Sequence, residues 1–117
     1  MPARVAVELD IFSGMPNPTW SLMPADADHL SEQLAALPPA LPVALSGHLG
    51  YRGFILQVEQ GAETEVIHVQ AGAVRITRSA TNSYFRDVDR KLERWLLDTG
   101  RPRLNSEVLQ VVERDLR

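Results

Sequence analysis

Residues 5–22 read Val-Ala-Val-Glu-Leu-Asp-Ile-Phe-Ser-Gly-Met-Pro-Asn-Pro-Thr-Trp-Ser-Leu, and this stretch decides the fold. Its first half places apolar side chains at every second position, which predicts a strand with one face in the core. Glu8 and Asp10 then project from the opposite face of that strand. Two carboxylates so close together repel each other unless a cation or an arginine lies between them.

The second half of the stretch is a turn constrained by two prolines. Pro16 and Pro18 each fix φ, and each pushes the residue before it, Met15 or Asn17, towards extended geometry. We therefore expect a rigid, shaped turn that leads into a returning strand at Trp20.

Composition limits the kinds of protein that this chain can be. With 117 residues it is expected to form a single domain, residues 1–117, that buries its own core. Its 44% hydrophobic residues, 23% charged residues and net charge of -3 are typical of globular proteins and disfavour a general nucleic-acid binder. The lack of cysteine excludes disulfides and thiolate metal sites.

No signal for a membrane, an export pathway or a cofactor is found. No apolar run approaches the roughly 18 residues needed to span a bilayer, and the N-terminal stretch lacks the features of a signal peptide, so we expect a cytoplasmic protein. His29, His48 and His68 lie far apart without a spacing typical of metal sites. We expect neither a metal nor another cofactor.

The rest of the chain predicts an α+β fold. Leucines at helical spacing after Pro24 predict a first helix, and three apolar, β-branched segments joined by short glycine turns predict an antiparallel meander. We expect an antiparallel sheet of about four or five strands with three helices packed on one face. The predicted elements are helix 24–37, loop 38–52, strands 53–59, 64–70 and 73–77, helix 83–98 capped by Asn82 or Ser83, and a last helix capped by Asn105 or Ser106.

The turn contains the best candidate binding residues. Asn17 and Trp20 place an amide and a large aromatic group on a rigid loop, which is typical of binding sites. The alternative is structural, with Asn17 bonding its own turn and Trp20 filling the core. Ser13 does not lie in a nucleophile-elbow pattern, because the glycine two residues before it is missing, and is expected to bond the local backbone.

Two further groups of residues are candidates for binding. The glycine-rich segment 47–53 carries His48, Tyr51 and Arg52, and its backbone amides would suit an anion, unless the glycines serve only to allow positive φ. Arg75 and Arg78 are expected on a strand edge, where they would hold an acidic segment of a partner peptide. The alternative for these arginines is ordinary surface ion pairing.

Phe12-Ser13-Gly14-Met15-Pro16-Asn17-Pro18-Thr19-Trp20 resembles the FSGxPNPxW segment near the start of a family of small bacterial proteins. Those proteins typically carry a basic residue at the position of Met15. Residues 50–54, Gly-Tyr-Arg-Gly-Phe, are similar to a second segment in that family. The resemblance implies no particular activity.

These patterns favour a non-enzymatic binding or accessory protein that presents the turn and a sheet edge to a protein or peptide partner. The main alternative is a small enzyme or ligand-binding protein with a pocket between the residue 12–20 turn and the residue 47–53 loop. That pocket would use Asp10, Asn17, His48, Tyr51 and Arg52 as its polar groups. A homodimer without a small ligand is a third alternative.

Overall fold

Six antiparallel strands form one open sheet in the computed structural model, which describes residues 3–117. The strands lie in the order β2-β1-β3-β4-β5-β6, so every neighbouring pair except β1 and β3 is joined by a hairpin or a single turn. The sheet thus contains one or two strands more than the sequence predicts. The strands are β1 (Arg4–Leu9), β2 (Thr19–Ser21), β3 (Phe54–Gln60), β4 (Glu63–Gln70), β5 (Ala73–Arg78) and β6 (Thr81–Arg86).

Three helices complete the fold and share one apolar core with the sheet. They are α1 (Pro24–Ala35), α2 (Lys91–Gly100) and α3 (Ser106–Asp115). Leu30 of α1, Leu96 of α2 and Val112 of α3 belong to the same buried cluster as Val7 and Leu56 of the sheet. The predicted α+β class and the helical cover of one face are therefore confirmed.

Strand register separates the residues of the sheet into two faces. Val7 pairs with Leu56, which pairs with Ile67, and this row points into the core. We call the opposite side the open face, and two of its rows cross the central strands. They consist of Glu8, Ile55, His68, Arg75 and Tyr84, and of Ala6, Gln57, Val66, Thr77 and Asn82.

The sixth strand corrects the prediction of a helix over 83–98. Ser79 and Ala80 both have positive φ and form a tight turn, so the chain returns as β6. Helix α2 starts only at Lys91, and the predicted caps Asn82 and Ser83 lie in the strand instead. The apolar residues from Tyr84 onwards have helical spacing, and this pattern led to the wrong prediction. Residues 81–86 form a strand because pairing with β5 outweighs their local preference for a helix.

The position of β5 corrects a second expectation. Arg75 and Arg78 do not lie on a sheet edge, because β6 pairs with β5 along its whole length. On the side of β6 that faces away from β5, Pro39 forms an isolated bridge with Phe85. The start of the long loop therefore covers one end of this outer strand. The predicted cap of the last helix is confirmed at Asn105, whose side chain accepts a hydrogen bond from Val108 N.

None of the helices formed by residues 3–117 combines the length and apolar character that a membrane crossing requires.

Candidate functional site

Asn17 organises the turn from within. Its side-chain oxygen accepts hydrogen bonds from Ile11 N at 3.1 Å and Phe12 N at 2.7 Å. Its amide nitrogen donates to Glu8 Oε2 at 2.8 Å and to Asp10 Oδ1 at 3.4 Å. The amide therefore bridges the two carboxylates. Both the oxygen and the nitrogen of the Asn17 side chain make their hydrogen bonds within the protein.

Arg52 fixes the turn to the 47–53 loop. Its guanidinium donates to Asp10 Oδ1 at 2.8 Å, to Phe12 O at 2.9 Å and to His48 O at 2.9 Å. The hydrogen bond with Asp10 raises the pKa of Arg52 above its ordinary value. We call this assembly of Asp10, Asn17 and Arg52 the junction. Arg52 supplies the cation that the two neighbouring carboxylates were expected to require, although it pairs with Asp10 and not with Glu8.

Backbone hydrogen bonds reinforce the junction. Arg52 N donates to Asp10 O at 2.7 Å, and Asp10 N donates to Gly53 O at 3.0 Å. Gly53 has φ of +87°, and a side chain there would collide with the Val69 backbone. The glycine is thus required for the loop to approach the sheet so closely.

Trp20 lies in the core and not on the surface. Only 4% of the residue is exposed, its ring meets Phe54 edge-on at a centroid distance of 6.3 Å, and Nε1 donates to Thr99 Oγ1 at 2.9 Å. Gly100 packs directly against the indole, since a Cβ at that position would overlap three ring atoms. Trp20 therefore fills the core, which was the structural alternative to a role in binding.

Tyr51 is directed inward as well, into a polar cluster that was not predicted from the sequence. Its hydroxyl donates to Glu93 Oε2, and burial together with the negative charge of Glu93 raises the pKa of Tyr51 well above its ordinary value. Arg90 donates to both oxygens of the fully buried Glu93, at 2.9 and 2.8 Å, and to Asp115 Oδ2 at 2.7 Å. The cluster links the 47–53 loop to α2 and α3.

One sequence signal for this cluster exists. Glu93 lies three, four and seven positions before Leu96, Leu97 and Gly100, which are all buried on α2. A carboxylate within such an apolar stripe is expected to be buried and to need a partner. Nearby, Asp87 caps α2 with both oxygens, and burial raises the pKa of that carboxyl.

His48 and Ser13 lie at the surface beside the junction. The His48 ring bonds Tyr51 O through Nε2 at 2.8 Å, and the neighbouring Ser46 backbone bonds the Gln70 side chain. Ser13 is exposed in the turn next to Gly14, whose φ is +81°. Both residues are accessible to a partner, although His48 is already engaged with its own loop.

Arg75 and Arg78 make different contacts. Arg75 shares a hydrogen bond of 3.2 Å with His68 Nδ1 on the open face, and burial followed by the charge of Arg75 lowers the pKa of His68. Arg78 Nε bonds Glu65 Oε2 at 3.0 Å. The two arginines therefore do not act as one clamp, because Arg78 is neutralised and points to the other face of the sheet.

The structure brings some of the candidates together and separates others. Asp10, Asn17 and Arg52 converge at the junction, while Tyr51 and Trp20 are buried in the core and Arg75 lies three strands from β1. The Arg52 side chain fills the space between the turn and the loop.

A groove of about 690 Å³ lies elsewhere, beside Arg4, Ser21 and Gln57. Among residues 3–117, no cluster of three His, Asp or Glu side chains is arranged to hold a metal ion.

Comparisons with protein-family models, with curated proteins and with solved structures found no match to this chain.

Proposed function

We propose that this domain is a non-enzymatic binding or accessory protein of the cytoplasm, which presents its proline-locked turn and one sheet edge to a protein or peptide partner. One observation carries the proposal. The junction satisfies its own polar groups, yet the two loops that it joins leave Met15 and Leu49 exposed by 58% and 83%. These apolar side chains add nothing to the core, and an apolar partner surface would remove them from water.

Rigidity makes the turn suitable for this role. Asn17 holds the backbone of Ile11 and Phe12, and Arg52 holds the carbonyl groups of Phe12 and His48. A loop that is already ordered loses little conformational entropy when a partner binds. Binding is also favoured over catalysis because Asp10 and Arg52 neutralise each other, which leaves neither group free to act on a substrate.

The β6 edge provides the second part of the proposal. Ala40 N donates to Tyr84 O, so alternate backbone groups of β6, including those of Asn82, face away from β5. Continued pairing would place Pro42 opposite Asn82, and proline has no N–H to donate. The covering segment stops there, and the free end of β6 is available to an extended peptide by strand addition.

Co-expression with the proteins encoded beside its gene tests the proposal. We expect one of them to co-elute with this domain in size-exclusion chromatography, and we expect Met15→Asp/Leu49→Asp to lose it. The matched control is Met23→Asp/Val111→Asp, which changes two exposed apolar residues, one directly before α1 and one on α3, and should retain the partner. A domain that retains no partner, or one whose partner tolerates the loop substitutions, would contradict the proposal.

A pair of proline variants tests the edge separately. Asn82→Pro removes an outward N–H and should leave the β5–β6 ladder intact, whereas Ser83→Pro removes an inward one and should cost about 1 kcal/mol or more. A partner that binds by strand addition is lost with Asn82→Pro at unchanged thermal stability. Full binding by this variant would exclude the edge and leave the turn as the contact.

A further inference from the structure

Two charged side chains on the open face lack a counter-charge of their own. Arg75 is half-buried, its Nε is buried without a hydrogen-bond partner, and its guanidinium bonds only the uncharged ring of His68. Glu8 is half-buried as well and accepts only the Asn17 amide. Neither residue forms an ion pair with any part of residues 3–117. Removing a charge from water is costly unless the charge is paired, so an opposite charge beside either residue would be stabilising.

The two unpaired charges occupy equivalent positions about the centre of the sheet. Glu8 on β1 pairs in register with Ile55, Ile55 with His68, and His68 with Arg75 on β5. The line between β3 and β4 divides the six strands into two sets of three. Since strands lie about 4.8 Å apart, Glu8 and Arg75 each lie about 7 Å from this line, on opposite sides.

We infer that the open face is a self-complementary surface that binds a second copy of this chain around a two-fold axis along this line. Such an axis places each position of one sheet over the mirror position of the other. Glu8 of each copy then faces Arg75 of its partner copy, and Gln57 faces Val66. The dimer thus contains two Glu8–Arg75 pairs, which leave neither charge unmatched in either copy.

The size of the surface is consistent with this occupant. Six strands span about 24 Å, and the two rows with their side chains extend about 20 Å along the strands, so roughly 500 Å² per copy becomes buried. The total of about 1,000 Å² is at the lower limit for a specific interface. The Ser46 segment, which bonds Gln70, borders this area one row away from Glu8 and Arg75.

Charge reversal with exchange of partners tests the inference. Light scattering coupled to size exclusion should give twice 13.0 kDa for the wild-type chain at about 100 μM. Arg75→Glu and Glu8→Arg should each weaken self-association about 100-fold, because each creates two like-charge contacts. An equimolar mixture of the two variants should again give the dimer mass, since every contact then joins Arg to Glu.

Matched controls separate this effect from net charge. Arg103→Glu and Glu32→Arg change exposed residues outside the sheet by the same charge, and both should remain dimeric. A wild-type chain that is monomeric at this concentration would overturn the inference. So would a dimer that is insensitive to both reversals, or variants that stay monomeric when mixed.

A second measurement covers the case in which a charge-reversed variant does not fold. Gln57→Cys introduces the only thiol of the chain at an exposed position next to the proposed axis. A short bis-maleimide should join two copies of this variant efficiently, whereas Arg103→Cys should not be joined. Equal and low cross-linking of both variants would contradict the inference. This surface differs from the turn, so a monomeric protein that still binds its partner overturns the dimer alone.

Discussion

Arg52 donates two hydrogen bonds to a single oxygen of Asp10, from Nη2 at 2.8 Å and from Nε at 3.2 Å. The two residues are 42 positions apart, and their backbones are bonded to each other as well. Only 13% of the Arg52 side chain and 22% of the Asp10 side chain are exposed. This contact joins the opening strand and turn to the loop that precedes β3, so two distant segments of the sequence form one rigid surface.

Asn17→Asp is expected to destabilise the turn although the side chain keeps its shape. The substitution retains the acceptor for Ile11 N and Phe12 N, but it removes the donor to Glu8 and places a third carboxylate beside Glu8 and Asp10. We expect a loss of about 2 kcal/mol at neutral pH, measured by urea denaturation.

The matched control for this change is Asn82→Asp. Asn82 is exposed, and its side-chain oxygen accepts a hydrogen bond from Thr77 Oγ1, which an aspartate also provides. This control should change stability by less than about 0.5 kcal/mol. Equal effects of the two substitutions would show that the Asn17 amide does not hold the carboxylates together.

Gly100→Ala is expected to destabilise the protein, although replacing glycine by alanine within a helix is usually stabilising. A methyl group there overlaps the Trp20 ring, which is enclosed by the core. We expect a cost of about 1–3 kcal/mol, measured by thermal and chemical denaturation. Gly47→Ala, where a Cβ meets no atom within 4 Å, should be neutral or slightly stabilising. A stabilising Gly100→Ala would contradict the packing of Trp20.

Tyr51→Phe should alter how stability depends on pH in the alkaline range. Burial and Glu93 raise the pKa of Tyr51 in the folded state, whereas an unfolded tyrosine ionises near pH 10. The hydroxyl thus contributes fully below about pH 10, and its contribution is lost as the pH rises above this value towards the folded pKa.

We therefore expect Tyr51→Phe to cost about 1–2 kcal/mol at pH 7 and to reduce the decline in stability above about pH 10. Urea denaturation between pH 7 and 11 measures both effects. Tyr84→Phe on the open face serves as the control and should retain the wild-type decline. A Tyr51→Phe variant with an unchanged alkaline slope would argue against the buried contact with Glu93.

Much of the fold follows from local sequence patterns. The alternation in residues 5–11, Pro24 at the start of α1, the glycine turns around β4 and the Asn105 cap each depend on neighbouring residues, and each agrees with the structure. Residues 81–86 show the limit of such reasoning. Tyr84 fits a helical stripe with Val88, and only the pairing with β5 makes this segment a strand.

The site was harder to predict because its contacts join distant parts of the chain. The neighbouring carboxylates indicated that a cation was required, and Arg52 was grouped with Asp10 and Asn17 as a polar group of one pocket, but no sequence pattern predicted that its guanidinium would bond Asp10 directly. Asn17 and Trp20 were predicted as candidate binding residues, with a structural role as the alternative. The structure shows that Asn17 holds the turn from within and that Trp20 packs in the core, so the proposed contact with a partner rests on the exposed neighbours Ser13 and Met15.

The affinity of the proposed partner, once identified by co-expression, for turn variants tests the central claim most directly. Titration calorimetry with Met15→Asp/Leu49→Asp should show binding weakened at least about tenfold at unchanged thermal stability, because buried apolar contacts dominate interface energies. Met23→Asp/Val111→Asp should bind like the wild-type domain. Wild-type affinity in the Met15→Asp/Leu49→Asp variant would contradict the claim that this rigid turn is the surface that the partner binds.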